Sequence, residues 1–169
     1  MSLVNTKIKE EFDADGYVAM YSFFEDKKIQ EIKNEIDRYI NDIVPTLPNH
    51  HVFYEDKSDK NTIKNLQQMF AYDDYFKNLI EESAIQEVAS FVLGEKAVPK
   101  NLQYFNKPAG VGKPTPPHQD GYYFMLKKHN AVTCWLALEK VDEDTNTFLL
   151  FFLLIFFESL LWHHAFIAL

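Results

Sequence analysis

Residues 101–124 read NLQYFNKPAGVGKPTPPHQDGYYF, and the reading of this stretch decides the fold. Within it, residues 107–121 hold four of the chain's seven prolines and three of its five glycines. That concentration breaks helix and strand alike and predicts a long, stiff loop. A loop held this way can carry functional groups without moving much. At its far end stand His118, Gln119 and Asp120. On an extended segment, residues two apart face the same way. The His118 imidazole and the Asp120 carboxylate then project toward a shared point, with Gln119 facing away, or toward a neighbouring group if the strand twists. An imidazole and a carboxylate are two of the three ligands of a 2-His-1-carboxylate iron(II) site. His-x-Asp alone also occurs as a polar pair at the lip of a turn, so on these residues both readings stand open.

Strands are predicted on both sides of the loop. VPKNLQYF, residues 98–105, leads into it, and AVTCWLALEKV, residues 131–141, follows it. The second is rich in apolar and β-branched residues and ends at the turn DEDTN. Nearer the N-terminus, residues 12–20 read as a turn and a short strand. Ser22-Phe-Phe-Glu25 then has the form of a capping box. Ile29, Ile32, Ile36, Ile40 and Ile43 recur at steps of three and four, which predicts an amphipathic helix stopped by Pro45 and Pro48. HHVFYE, residues 50–55, reads as a short strand. It would turn His50 and His51 to opposite faces, unsuited to chelating one ion. A polar loop spans residues 56–61. A second helical region is expected from about Asp73 to Leu93, capped by Asp73 or Asp74 and stopped by Gly94.

The chain has 169 residues, 47 % of them apolar, enough for one domain with a real core. Its formal charge of -8 and the lack of a Lys/Arg-rich run exclude general phosphate-backbone binding, so no nucleic-acid partner is expected. The single cysteine, Cys134, excludes an intramolecular disulfide and a CxxC zinc site. The opening MSLVNTKIKEEF lacks the apolar run of a secretory leader, and a soluble, reducing, cytoplasmic setting is expected.

The stretch around His118 resembles the phytanoyl-CoA dioxygenase family. In that family a strand ending in Asn-Lys-Pro leads through a Gly/Pro loop into His-x-Asp. The next strand carries a tryptophan where this chain has Trp135, in AVTCWLALE. The resemblance reaches back through DGY at residues 15–17 and the EIDRYI helix, and covers most of residues 10–144. It implies a mainly β fold with flanking α-helices, a double-stranded β-helix (a jelly-roll, cupin-like barrel). It also implies an oxidoreductase that uses Fe(II), 2-oxoglutarate and O2 to hydroxylate a small organic or acyl substrate. His118 and Asp120 would be metal ligands. Gln119, Trp135, Gln103 and Lys64 would line the cosubstrate pocket. Each of these four also has a plain structural reading: strand-edge polars for the glutamines, core for Trp135, a solvated charge for Lys64. A carboxylate in His-x-Asp, in place of glycine, leaves no position for halide and favours hydroxylation over halogenation.

After Asn146 the pattern of the family is lost. Residues 147–169 read TFLLFFLLIFFESLLWHHAFIAL, with no periodicity. The family's distal histidine ligand and its arginine partner for 2-oxoglutarate are not found, for no arginine follows Arg38. LLWHH, with His163 and His164, resembles a run that precedes the distal ligand in relatives. An eight-stranded jelly roll also needs more strands than the six or so legible here. The expected organisation is therefore an N-terminal part of the dioxygenase domain, 1–146, and an aberrant apolar tail, 147–169. Activity is expected to be impaired and iron binding weak. The rival expectation is a non-catalytic jelly-roll binding module. Membrane association is disfavoured but open through residues 148–169, where Glu158 and two histidines would be costly in lipid.

Overall fold

A computed structural model describes residues 4–113, 130–139 and, as backbone, 164–168. The chain divides into two compact units. One is Phe24–Pro116 with Met1–Val4; the other is Asn5–Phe23 with Pro117–Leu169.

The larger unit starts from the isoleucine stripe. Helix α2, Asp26–Arg38, buries Ile32 and Ile36, as the spacing predicts. Its start differs from the expected capping box. Glu25 is the N-cap and makes no side-chain cap bond, and Ser22 takes a left-handed φ of 54°. Ser22 lies three residues before the observed N-cap, too far back for its hydroxyl to serve the first turn of the helix. At the other end the helix widens into a π turn, Tyr39–Ile43, then tightens into a 3-10 turn, Val44–Thr46. Pro45 lies in that last turn and stops the helix there.

Three strands follow, with helices between the second and third. Strand β2 is Val52–Tyr54 and β3 is Ile63–Leu66. Contrary to the expectation of a strand from residue 50, His50 and His51 lie in a 3-10 turn, Asn49–His51, with their rings 4.2 Å apart. The β2–β3 connection closes on Thr62. Its carbonyl accepts the Glu55 N–H at 2.9 Å, and its hydroxyl oxygen accepts the Asp56 N–H at 3.0 Å. The predicted helix over 73–93 is two helices, α3, Asp74–Glu81, and α4, Ala84–Leu93. Ser83 breaks it, because its side chain accepts the Ile85 N–H at 3.1 Å and starts a new helix. Asp73 caps α3 and Gly94, at φ 71°, ends α4, both as expected. Strand β4 is only Tyr104–Phe105. The three strands form an antiparallel sheet in the order β2-β3-β4.

The core of this unit includes Tyr39, Leu66, Met69, Phe76 and Val88, all fully buried. Tyr39 meets Phe76 edge to face, with centroids 5.3 Å apart. The Tyr39 hydroxyl is buried with no hydrogen-bond partner. Burial, and then the nearby Asp73 charge, push it up to about 12. An exposed tyrosine ionises near about pH 10. Above that pH the unfolded chain releases a proton that the folded chain keeps, so stability falls as pH rises toward the folded value. Tyr39→Phe removes an unpaired buried hydroxyl. It should be neutral or stabilising at neutral pH and should reduce the alkaline loss. Urea unfolding of both chains at neutral and alkaline pH checks this; an equal alkaline loss in the variant would contradict it.

The smaller unit opens on α1, Thr6–Asp15, whose last residues, 12–15, fall where a turn was expected. The helix has little apolar periodicity to announce it. Asn5 accepts the Ile8 N–H at 3.1 Å at its start. Lys7 pairs with Glu11 at 3.4 Å and Lys9 with Asp13 along its exposed side. Gly16, at φ 76°, ends it, and β1, Tyr17–Ala19, follows. Strands β5, Ala131–Trp135, and β6, His164–Ala168, complete a sheet in the order β1-β6-β5. Both neighbours of β6 run parallel to it. A jelly roll is built from antiparallel strands. Among the described residues neither three-stranded sheet closes, and helix exceeds strand, so the expected mainly β barrel is seen as two short sheets with flanking helices. No helix among the described residues is long and apolar enough to cross a membrane.

Candidate functional site

His118, Gln119 and Asp120, the centre of the predicted site, lie outside the described residues, as does His163. His164 is the first residue of β6, in register with Ala131 of β5. Among the described residues, no three His, Cys, Asp or Glu side chains gather in a metal-holding group. The approach to the site is described up to Lys113. Residues 108–112 form a tight turn, in which the Gly112 N–H donates to the Pro108 carbonyl at 2.9 Å. Gly110 has φ 78°. A Cβ on Gly112 would stand 3.0 Å from the Pro108 oxygen, so both positions favour glycine for different reasons. Directly after this turn the Lys113 N–H donates to Glu55 Oε1 at 3.4 Å.

Lys64 and Gln103 have separate protein partners. Lys64, on β3, brings its ammonium to 3.9 Å from Glu55 Oε2. Its side chain is 44 % exposed, which leaves the charge within reach of a solvent anion. The next residue, Asn65, is buried, and its amide donates to Gln103 Oε1 at 3.2 Å and to the Tyr104 carbonyl at 3.2 Å. Neighbouring residues of a strand point to opposite faces. The alternation along β3 thus sends Lys64 to Glu55 and Asn65 to Gln103. Sequence reasoning missed both Glu55 and Asn65; the mixed stretch Ile63-Lys-Asn-Leu66 offers no apolar pattern to single out the second.

Trp135 is the last residue of β5 and is half-buried, beside Cys134 on the same strand. Burial pushes the Cys134 thiol up to about 12. At neutral pH almost no thiolate is present, so Cys134 is unsuited to nucleophilic work. Alkylation by iodoacetamide should be slow in the folded chain and fast in denaturant; equal rates would contradict the burial.

The chain's one arginine is engaged elsewhere. Arg38 Nε meets Glu35 Oε2 at 2.6 Å, and its terminal nitrogen meets Asp73 Oδ2 at 2.7 Å. These two bonds raise the guanidinium pKa further. An open hollow of about 740 Å³ adjoins this clamp, lined by Arg38, Tyr72, Asp73, Tyr75, Lys77 and others. None of the sequence-predicted site residues lines it. The donor types nevertheless suit iron(II), because imidazole and carboxylate are its usual ligands in a facial triad. A half-exposed ammonium at Lys64 suits an anionic cosubstrate.

A family model for phytanoyl-CoA dioxygenase matches residues 12–150. Phytanoyl-CoA dioxygenase, peroxisomal, from Bos taurus is 26 % identical over 157 residues, which cover 86 % of this chain and 45 % of that protein. The protein of the same name from Mus musculus is 24 % identical over 148 residues, covering 80 % of this chain and 43 % of its own length. The chain therefore spans less than half the length of these curated relatives. No solved structure matches it. With a family match that runs from the end of α1, across residues 118–120 and through β5, the chain belongs to the phytanoyl-CoA dioxygenase family.

Proposed function

We propose that this chain carries the metal-binding part of an Fe(II)/2-oxoglutarate-dependent oxygenase, with a small organic or acyl molecule as substrate. The observation that carries the reading is the family match across residues 12–150, which includes the His118-x-Asp120 motif. His118 and Asp120 hold the iron. Lys64 offers an ammonium to a carboxylate of 2-oxoglutarate, Gln103 and Gln119 offer amide hydrogen bonds, and Trp135 packs beside it. The chemistry that iron, 2-oxoglutarate and O2 supply together is oxidation of a C–H bond coupled to breakdown of the keto acid to succinate and carbon dioxide. The finer architecture we assign to residues 1–146 is part of a jelly-roll barrel, with residues 147–169 as an aberrant tail.

One observation favours a second reading, a non-catalytic binding module of the same family. The single guanidinium is held by Glu35 and Asp73 and is not free to make a bidentate bond to the keto acid. Succinate formation by the chain with Fe(II), 2-oxoglutarate and O2 separates the two. The oxygenase reading expects slow turnover that a chelator and His118→Ala both abolish. No succinate above the His118→Ala background would leave the binding module.

A further inference from the structure

Asn65 stands in the middle strand of the β2-β3-β4 sheet, in cross-strand register with Phe53 on one side and Phe105 on the other. It is 5 % exposed. An amide withdrawn from water in this way is costly unless its hydrogens find acceptors. Here Nδ2 donates to the Tyr104 carbonyl and to Gln103 Oε1, both at 3.2 Å. The first bond settles the orientation of both side chains. A backbone carbonyl only accepts, so the Asn65 atom that faces it is the nitrogen and not the oxygen. The same nitrogen faces Gln103, so the Gln103 atom that meets it is the oxygen. Gln103 is itself exposed, and among the described residues nothing accepts from its Nε2. Its amide is therefore held with the oxygen turned to Asn65 and the NH2 group left for a ligand. Asn65, Gln103 and Tyr104 all belong to the larger unit.

We propose that Asn65 is a positioning residue that makes Gln103 a hydrogen-bond donor, so that this position takes a carboxylate oxygen of a ligand and rejects a ligand ammonium. The inference rests on the reading of Gln103 as a contact of 2-oxoglutarate, and it does not use the metal ligands. An unheld glutamine turns either its oxygen or its nitrogen to a ligand. A purely structural Asn65 would be served by any side chain of similar bulk. The proposed role asks for a donor: an ionised aspartate at position 65 has only acceptors, so the Gln103 amide reverses and shows its oxygen to the ligand.

The test is a titration of 2-oxoglutarate into the isotope-labelled full chain, read from the NMR shifts of the β4 amides. No metal is added, so the readout needs neither His118 nor Asp120. Asn65→Asp should weaken binding about fivefold or more, the worth of one hydrogen bond. Asn65→Leu keeps the bulk and leaves the Gln103 amide free to turn, so it should lose less than Asn65→Asp. Wild-type affinity in Asn65→Asp overturns the inference, as does an equal loss in Asn65→Leu. If Asn65→Asp does not fold, proton exchange with water in the wild-type chain decides. The Asn65 NH2 protons should be protected and the Gln103 pair free; a protected Gln103 pair beside a free Asn65 pair overturns the inference. Gln103→Ala is the separate arm and should also weaken binding about fivefold. Wild-type affinity there, or no binding by the wild-type chain, would sink the reading of Gln103 itself together with this inference.

Discussion

Asp73→Ala should lower the stability of the chain by about 2–3 kcal/mol. Two losses coincide at this residue. Asp73 Oδ1 accepts the Tyr75 N–H at 3.0 Å and the Phe76 N–H at 3.4 Å, so alanine leaves the first turn of α3 uncapped. A lost side-chain cap typically costs about 1 kcal/mol. Asp73 Oδ2 also holds Arg38, and the Asp73 side chain is only 9 % exposed. Arg38 is 36 % exposed, so solvent screens this pair and its share is held to about 1 kcal/mol. The remainder comes from Phe76, whose buried ring leans on Tyr39 and follows any movement of the helix start. Asp73→Asn keeps a capping oxygen and loses the charge, so it should cost about half as much or less. Urea unfolding of the three chains measures both steps. An asparagine variant as unstable as the alanine variant would assign the effect to the ion pair; a negligible loss in both would remove the clamp from the account.

The same region shows what the sequence could and could not tell. Helix α2 was legible because its isoleucines repeat at helical spacing over several turns, and Pro45 supplied a physical stop. Asp73 and Gly94 were legible because capping and the left-handed terminus each demand a narrow set of residues. Helix α1 was hidden, since its support is local charge pairing and an Asn cap rather than an apolar stripe. The break at Ser83 was hidden for a related reason. A serine inside an apolar-periodic run fits a helix interior or a new N-cap, and only the Ile85 N–H decides. Ser22 erred in the opposite direction: a good capping motif failed because the helix starts later, with Glu25 as its N-cap. Strand β3 went unread because Lys64 and Asn65 interrupt its apolar pattern.

The candidate site was legible as chemistry before it was legible as place. His118 and Asp120 were picked out by residue type, spacing and a Pro/Gly loop, and the family match now spans them. Lys64 and Gln103 were assigned to one pocket by resemblance, and spacing along the chain carries no information on which sheet face a side chain takes. The described structure supplies that for β3, where alternation gives Lys64 to Glu55 and Asn65 to Gln103. Glu55 carries no sequence signal, because its partner Lys113 lies 58 positions away along the chain.

The second large effect concerns the metal. His118→Ala and Asp120→Ala should each abolish specific iron binding, because with one protein ligand gone the remaining donor competes poorly with water. The direct measurement is anaerobic equilibrium dialysis of Fe(II) against the wild-type chain, each single variant and the double variant. The account predicts one weak site per wild-type chain, lost in both single variants, with no further loss in the double variant. A chain lacking either side chain that still binds iron as the wild type does would contradict it.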